Sequence, residues 1–174
     1  MSEASKNLLA GGDDKLIVAD DDELIFAEED EVEEKPREAS WKILIVDDEI
    51  EIHNITKLAL KEFTFENKLI TFISAYSGKE AKEMLQAHRD IALILLDVVM
   101  ETEEAGLELV KYIRDILDNQ IVRIILRTGQ PGQVPEDVVI VSYDINDYKT
   151  KTELTNKKLF TTVVTALRAL LLPW

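Results

Sequence analysis

The sequence predicts an α/β protein in which helices cover both faces of an open, doubly wound parallel sheet. From Trp41 onward, short apolar runs rich in β-branched residues alternate with longer stretches of helical spacing. The alternation repeats five times within about 130 residues, whereas a closed eight-unit barrel typically needs about 250 residues. We therefore expect an open sheet of five strands in the order 2-1-3-4-5.

The individual elements follow from the same periodicity. Apolar runs place the strands at 42–46, 69–74, 91–96, 122–127 and 145–149. The first, third and fourth are apolar at consecutive positions, which is typical of strands that are covered on both faces. Helical spacing predicts helices at 51–63, 78–88, 105–117, 135–142 and 155–172.

The first 40 residues form an acidic extension to this unit. They hold 14 Asp or Glu residues and 4 Lys or Arg residues, so they carry -10 of the chain's net charge of -15. Their two short apolar islands offer too little surface to offset the entropy of ordering them, so we expect the extension to be largely disordered. It acts either as a solubilising tail or as a segment that docks through Leu24, Ile25 and Phe26.

The composition excludes several classes of function. A pI near 4.5 without a basic stripe argues against direct nucleic-acid binding. The chain contains no cysteine, which excludes thiolate chemistry and disulfides and fits a reducing, cytoplasmic location. It has no apolar run of about 18 residues and no basic-then-apolar N-terminus, so we expect neither secretion nor a membrane span.

Chemically capable side chains follow four of the predicted strands. Asp47 and Asp48 follow the first strand, Asp97 the third, Thr128 the fourth and Lys151 the fifth. The carboxyl ends of parallel strands meet at one edge of the sheet, where ligands bind. Asp47 and Asp48 share that pocket only if the first strand ends at Val46, because neighbouring residues on a strand point to opposite faces.

Three carboxylates in one crevice call for a cation. At about 4 Å and an effective dielectric constant near 20, each ionised pair would repel by roughly 4 kcal/mol. A hard divalent ion with oxygen ligands relieves this repulsion, and Mg²⁺ is commonly held by carboxylates, waters and a phosphate. With a metal present, Asp97 is placed as a nucleophile toward a phosphoryl group, Lys151 as its positive partner and Thr128 as a hydroxyl donor.

These motifs resemble the receiver domain of response regulators in bacterial two-component systems. The resemblance covers residues 41 to 172 and depends on "ILIVDDE", "LILLDVVM", "LRTG" and "DYKTK" in this order. It implies a flavodoxin-like fold with Asp97 as the phosphoacceptor. It also implies a Mg²⁺ or Mn²⁺ ion held by Asp47, Asp48, Asp97 and the backbone carbonyl of Val99.

The same resemblance implies a signalling switch rather than an enzyme with its own substrate. A sensor histidine kinase or phosphotransfer protein supplies the phosphoryl group, which is later lost slowly by hydrolysis. Thr128 and Lys151 bind the phosphoryl group, and Thr128 and Tyr148 move with it, changing the face formed by the fourth helix, the fifth strand and the last helix.

The loop after Asp97 departs from the family pattern. Glu101 stands where most receivers have proline, and Gly106 lies nine rather than eight positions after the aspartate. The positions that tune hydrolysis in the family are Val99 and Gln130 here. Because Val99 cannot orient an attacking water through its side chain, we expect a long-lived phosphoryl group.

The chain also resembles receivers that precede HD-GYP cyclic-di-GMP phosphodiesterase domains. By this resemblance, residues 173–174 are expected to begin a linker to such an output region. The apolar end of the last helix fits that linker or a homodimer contact.

Two other functions use parts of the same residue pattern. A phosphorylation-independent pseudo-receiver that only binds partner proteins remains the alternative, although the five matched site residues are intact. A haloacid-dehalogenase-type phosphatase needs a second acid where Val99 stands.

Overall fold

A twisted, mostly parallel sheet organises the computed structural model, which describes residues 39–129, 136–152 and 156–172. Its strands are β1 (Trp41–Val46), β2 (Thr64–Phe65), β3 (Lys68–Ala75), β4 (Ile91–Asp97), β5 (Arg123–Thr128) and β6 (Asp147–Thr150). They lie in the order β2-β3-β1-β4-β5-β6. The pairs β3–β1, β1–β4, β4–β5 and β5–β6 are parallel, as predicted for a doubly wound sheet.

The prediction of five strands was wrong by one short edge strand. β2 pairs antiparallel with β3 through a two-residue turn at Glu66 and Asn67, whose φ angles are 51° and 58°. Positive φ at both central residues is the hairpin geometry that suits strand twist. The Trp41 indole nitrogen donates to the Phe65 carbonyl at 2.9 Å, which ties this hairpin to β1.

Helices cover both faces of the sheet. They are α1 (Ile50–Ala59), α2 (Gly78–Ala87), α3 (Ala105–Lys111), α4 (Glu136–Tyr143) and α5 (Asn156–Ala169). α3 continues as a π-helical turn over Tyr112–Ile116. The first predicted helix is too long, because Leu60 leaves helical geometry at φ -113° and ψ 11° and Phe63 turns into the core.

The two faces of the sheet carry separate apolar cores. One core joins Val46, Leu96 and Leu126 to residues from α2, α3 and α4. The other joins Ile43, Leu95 and Ile125 to residues from α5 and to the segment that follows α1. Because side chains alternate along a strand, Asp97 and Arg127 continue the second set and point toward the side of α1 and α5.

Several predictions lie outside the described residues. They concern the acidic extension up to residue 38, the hydrolysis-tuning role of Gln130 and the linker at 173–174. Among the helices of the described segments, none is long and apolar enough to cross a membrane.

Candidate functional site

The ends of β1 and β4 deliver three of the predicted carboxylates to one edge of the sheet. β1 ends at Val46, so Asp47 and Asp48 lie in the loop that leads to α1, as the sequence required. Carboxylate oxygens of Asp47, Asp48, Glu49 and Asp97 all lie within 4.8 Å of one another. The predicted acidic pocket is therefore present, with Asp47 and Asp97 buried and Asp48 exposed.

Hydrogen bonds hold both the backbone and the carboxylate of Asp47. Its amide donates to the Ala75 carbonyl at 3.2 Å, and its Oδ1 accepts from the Glu49 amide at 3.0 Å. The Nε2 of buried His53 lies 2.8 Å from the Asp47 carbonyl, to which it donates. The other ring nitrogen then accepts from the Ser74 hydroxyl at 3.0 Å. This network holds the loop that presents the acidic pair.

Asp97 is the last residue of β4 and is almost fully buried. Its Oδ2 lies 2.8 Å from the Lys151 ammonium, and its Oδ1 accepts from the Val99 amide at 3.4 Å. Burial raises the pKa of the Asp97 carboxyl, and the neighbouring Asp47 charge adds to the rise, while Lys151 opposes it. Asp97 is thus a poorly solvated carboxylate with a cation beside it.

Lys151 connects the carboxylates. Its amide donates to the Thr128 carbonyl at 2.8 Å, so β5 holds the start of the loop that carries it. Its ammonium lies 2.7 Å from Glu49, 2.8 Å from Asp97 and 3.2 Å from Asp47. Burial alone would lower the pKa of Lys151, but the hydrogen bonds with Asp97 and Glu49 outweigh it and raise that pKa. The side chain is a permanent positive charge.

The donor set fits a hard divalent cation. The four clustered groups supply only carboxylate oxygens, the ligands that Mg²⁺ and Mn²⁺ prefer. Oδ2 of Asp47 is buried and makes no hydrogen bond with any described residue, although two cationic side chains face it. A buried carboxylate oxygen with a spare lone pair is available to a metal ion.

Three further predicted site residues lie within the described segments. Thr128 is buried at the end of β5, the strand next to Asp97. Tyr148 on β6 is also buried and packs in the core that includes Leu126. Val99 is partly buried and packs against the same core.

The loop after Asp97 returns to the strand end at Gly106. The Gly106 amide donates to the Val98 carbonyl at 3.0 Å, and an added Cβ would lie only 2.1 Å from the Asp97 carbonyl oxygen. Glu101, which replaces the usual proline, accepts a hydrogen bond from the Gly78 amide at 2.8 Å. A carboxylate at the first residue of α2 interacts favourably with the helix dipole. The altered loop is therefore held at the end of β4 by Gly106 and at the start of α2 by Glu101.

Sequence reasoning missed three residues of the site. Glu49 ends the "ILIVDDE" motif, which assigns it no role, although it binds Lys151. His53 falls in the first predicted helix without a role, although its ring bonds the Asp47 carbonyl. Arg127 falls at the end of the fourth predicted strand, also without a role. The one available signal was a charged residue within the apolar run of β5.

Comparison with known proteins agrees with this geometry. A family model described as the response regulator receiver domain matches residues 43–163. A 3'3'-cGAMP-specific phosphodiesterase 2 of Vibrio cholerae serotype O1 is 56% identical over 129 residues, which are 74% of this chain and 25% of that protein. The chain thus spans about a quarter of the length of this relative.

Solved structures share the fold. A putative two-component system response regulator/GGDEF domain protein superposes with a TM-score of 0.64 at 24% identity, covering 76% of this chain and 51% of the other. The signal receiver domain of an HD domain-containing protein from Pseudomonas fluorescens Pf-5 gives a TM-score of 0.61 at 20% identity, covering 76% of this chain and 98% of the other. The expected likeness to receivers of phosphodiesterase-linked regulators is confirmed by the Vibrio relative, whose name is that of a phosphodiesterase.

The fold, the acidic pocket and the match over residues 43–163 agree with one another, and the chain belongs to the response regulator receiver domain family.

Proposed function

We propose that Asp97 accepts a phosphoryl group from a histidine kinase or phosphotransfer protein, in a reaction that depends on Mg²⁺ or Mn²⁺. The observation that carries the proposal is the convergence of Asp97 with Asp47, Asp48 and Lys151 at the carboxyl edge of the sheet. A lone aspartate at a strand end would have no such surroundings.

In this reaction an oxygen of the Asp97 carboxylate attacks the phosphorus atom, and the bond from phosphorus to the donor's leaving group breaks. The leaving group keeps the electron pair and takes up a proton, which leaves a mixed anhydride on Asp97. A metal bound by Asp47, Asp48, Asp97 and the Val99 carbonyl would neutralise charge on the phosphoryl oxygens. Lys151, already 2.8 Å from Asp97, supplies a second positive charge next to the reacting oxygen.

Phosphorylation then acts on the face formed by α4, β6 and α5. Thr128 and Lys151 bind the phosphoryl group, and movement of Thr128 changes the space that the neighbouring Tyr148 side chain occupies. α4 carries exposed Val138 and Val141, so a change in its packing alters an apolar surface. Such a surface can control an attached output region or a separate partner.

The relatives indicate the kind of output. Receivers of this family work with histidine kinases and with output domains, and the Vibrio relative is named as a phosphodiesterase of 3'3'-cGAMP. We propose that this receiver also regulates a cyclic-dinucleotide phosphodiesterase.

Intact-mass measurement after incubation with acetyl phosphate and Mg²⁺ tests the phosphoacceptor. The parent is expected to gain one phosphate, and Asp97→Asn none. Asp90→Asn serves as the matched control, because Asp90 is an exposed carboxylate paired with Lys42 outside the site. The proposal fails if the parent stays unmodified, if Asp97→Asn is labelled equally, or if a chelator leaves the labelling unchanged.

The lifetime of the phosphoryl group is a second consequence. Val99 offers no side-chain hydrogen bond to an attacking water, so hydrolysis should be slow. We expect Val99→Asn to lose phosphate about tenfold faster, as followed by intact mass after removal of the donor. Equal decay of the two proteins would show that position 99 does not set the lifetime.

A further inference from the structure

Arg127 is a buried cation behind the acidic pocket that the proposed chemistry does not use. Its side chain is only 3% exposed and points to the same side of the sheet as Asp97. In the β4–β5 pairing, Arg127 lies directly beside Asp97. An arginine at this depth stays charged, because its guanidinium holds its proton more strongly than any other side chain.

The guanidinium is only partly satisfied. Its Nη1 donates to the Thr56 hydroxyl on α1 at 3.0 Å, and its Nη2 lies 3.7 Å from Oδ2 of Asp47. Nε and Nη2 make no hydrogen bond with any residue in the described part of the chain. Burying an incompletely bonded charge is costly. Burial lowers the pKa of Arg127, and the nearby negative charges of Asp47 and Asp97 oppose that shift.

Lys151 and Arg127 have different parts in this arrangement. Lys151 is shared among Asp47, Glu49 and Asp97, and 13% of its side chain is exposed. Arg127 is almost fully buried, with its Nη2 3.7 Å from Oδ2 of Asp47. Its effect on the pocket is therefore that of a fixed positive charge.

We propose that Arg127 sets the balance between cation and anion binding at this site, so that it weakens binding of the divalent metal and strengthens binding of the phosphoryl group. The inference rests on the proposed function, because it assumes that both ligands bind beside Asp47 and Asp97. A fixed positive charge repels a metal ion and attracts a phosphoryl group. At about 8 Å and an effective dielectric constant near 20, each unit charge changes affinity by on the order of tenfold or more.

Two affinities measured on Arg127→Met test the proposal. Mn²⁺ binding is followed by electron paramagnetic resonance, and beryllofluoride binding is followed by calorimetry at saturating Mg²⁺. We expect Arg127→Met to bind beryllofluoride more weakly than the parent by about tenfold or more, and to bind the doubly charged Mn²⁺ more tightly by a larger factor still. Opposite changes are the signature of a charge, because looser packing would weaken both.

Two matched variants keep the charge. Arg127→Lys should restore both affinities to within about threefold of the parent. Thr56→Val, which removes the hydrogen bond from Arg127 together with the bond from the Thr56 hydroxyl to the Ile52 carbonyl, should do the same. If Arg127→Met changes neither affinity or weakens both, the proposal is overturned. A neutral variant that does not fold, with Arg127→Gln failing likewise by circular dichroism, would assign the residue a structural role and also overturn it.

The outcome also separates this inference from the proposed function. A parent that binds no beryllofluoride in the presence of Mg²⁺ contradicts the phosphoacceptor proposal itself. A parent that binds it, with Arg127→Met behaving identically, contradicts only the part assigned to Arg127.

Discussion

The contact of Gly106 with the end of β4 makes a quantitative prediction for Gly106→Ala. The new Cβ would lie 2.1 Å from the Asp97 carbonyl oxygen and 2.8 Å from the Val98 Cα, whereas real Cβ contacts essentially never fall below 3.0 Å. Both obstructing atoms belong to the backbone, so no side chain can rotate away. The loop and the strand end have to separate by about 0.9 Å.

The free-energy cost of that separation can be estimated. Overpacking typically costs 1–3 kcal/mol, and a rigid backbone contact belongs at about 3 kcal/mol. Alanine regains about 1 kcal/mol of helix propensity, since Gly106 lies in the first turn of α3. The expected net loss is about 2 kcal/mol of unfolding free energy. With a urea dependence of about 2 kcal/mol per molar, the unfolding midpoint falls by about 1 M.

Urea unfolding followed by far-ultraviolet circular dichroism measures this shift. Gly129→Ala is the matched control, because an added Cβ there would meet Lys151 at 3.8 Å, an ordinary van der Waals distance. Its midpoint should stay within about 0.3 M of the parent. A Gly106→Ala midpoint equal to that of Gly129→Ala would refute the steric reasoning.

Three further predictions concern Glu101 in the altered loop, His53 in α1 and Glu66 in the β2–β3 hairpin. Glu101→Ala removes the carboxylate that accepts from the Gly78 amide and should lower the unfolding free energy by about 1 kcal/mol in the same urea assay. Burial lowers the pKa of His53 below 6.5, so the folded protein binds fewer protons than the unfolded chain near that pH. The parent should thus lose stability as the pH falls from about 7.5 to about 5.5, and His53→Gln should flatten this dependence of the urea midpoint. Glu66→Asn places a residue that tolerates φ 51° in the hairpin turn and should raise the thermal midpoint by an amount equivalent to about 0.5 kcal/mol.

The sheet and the acidic pocket could be predicted because local patterns determine them. Apolar runs locate the parallel strands, and a parallel sheet brings all their carboxyl ends to one edge. Asp47, Asp97 and Lys151 follow those ends directly, so knowing the strands was enough to bring them together. β1 ends at Val46, as it must if Asp47 and Asp48 are to share one pocket.

Features that depend on tertiary contacts could not be predicted in the same way. The β2–β3 hairpin has Glu66 and Asn67 in its turn rather than a residue pair containing glycine. The sequence therefore carried only a weak signal for a hairpin. Arginine in a strand usually indicates an exposed edge or rim. The burial of Arg127 depends on Thr56 and Asp47, which lie far away in the sequence.

The altered loop shows the same limit. The insertion before Gly106 and the glutamate at position 101 were both visible in the sequence. Their contacts with Asp97 and Gly78 depend on where the loop crosses the ends of β4 and α2.

Chemical location of the phosphoryl group tests the central claim most directly. After treatment with acetyl phosphate and Mg²⁺, borohydride reduces an aspartyl phosphate to homoserine, which marks the modified residue for peptide mass spectrometry. Homoserine should replace Asp97, and neither Asp47 nor Asp48 should be converted. Homoserine at another position, or at none in a sample that has gained phosphate, would contradict the assignment of Asp97 as the phosphoacceptor.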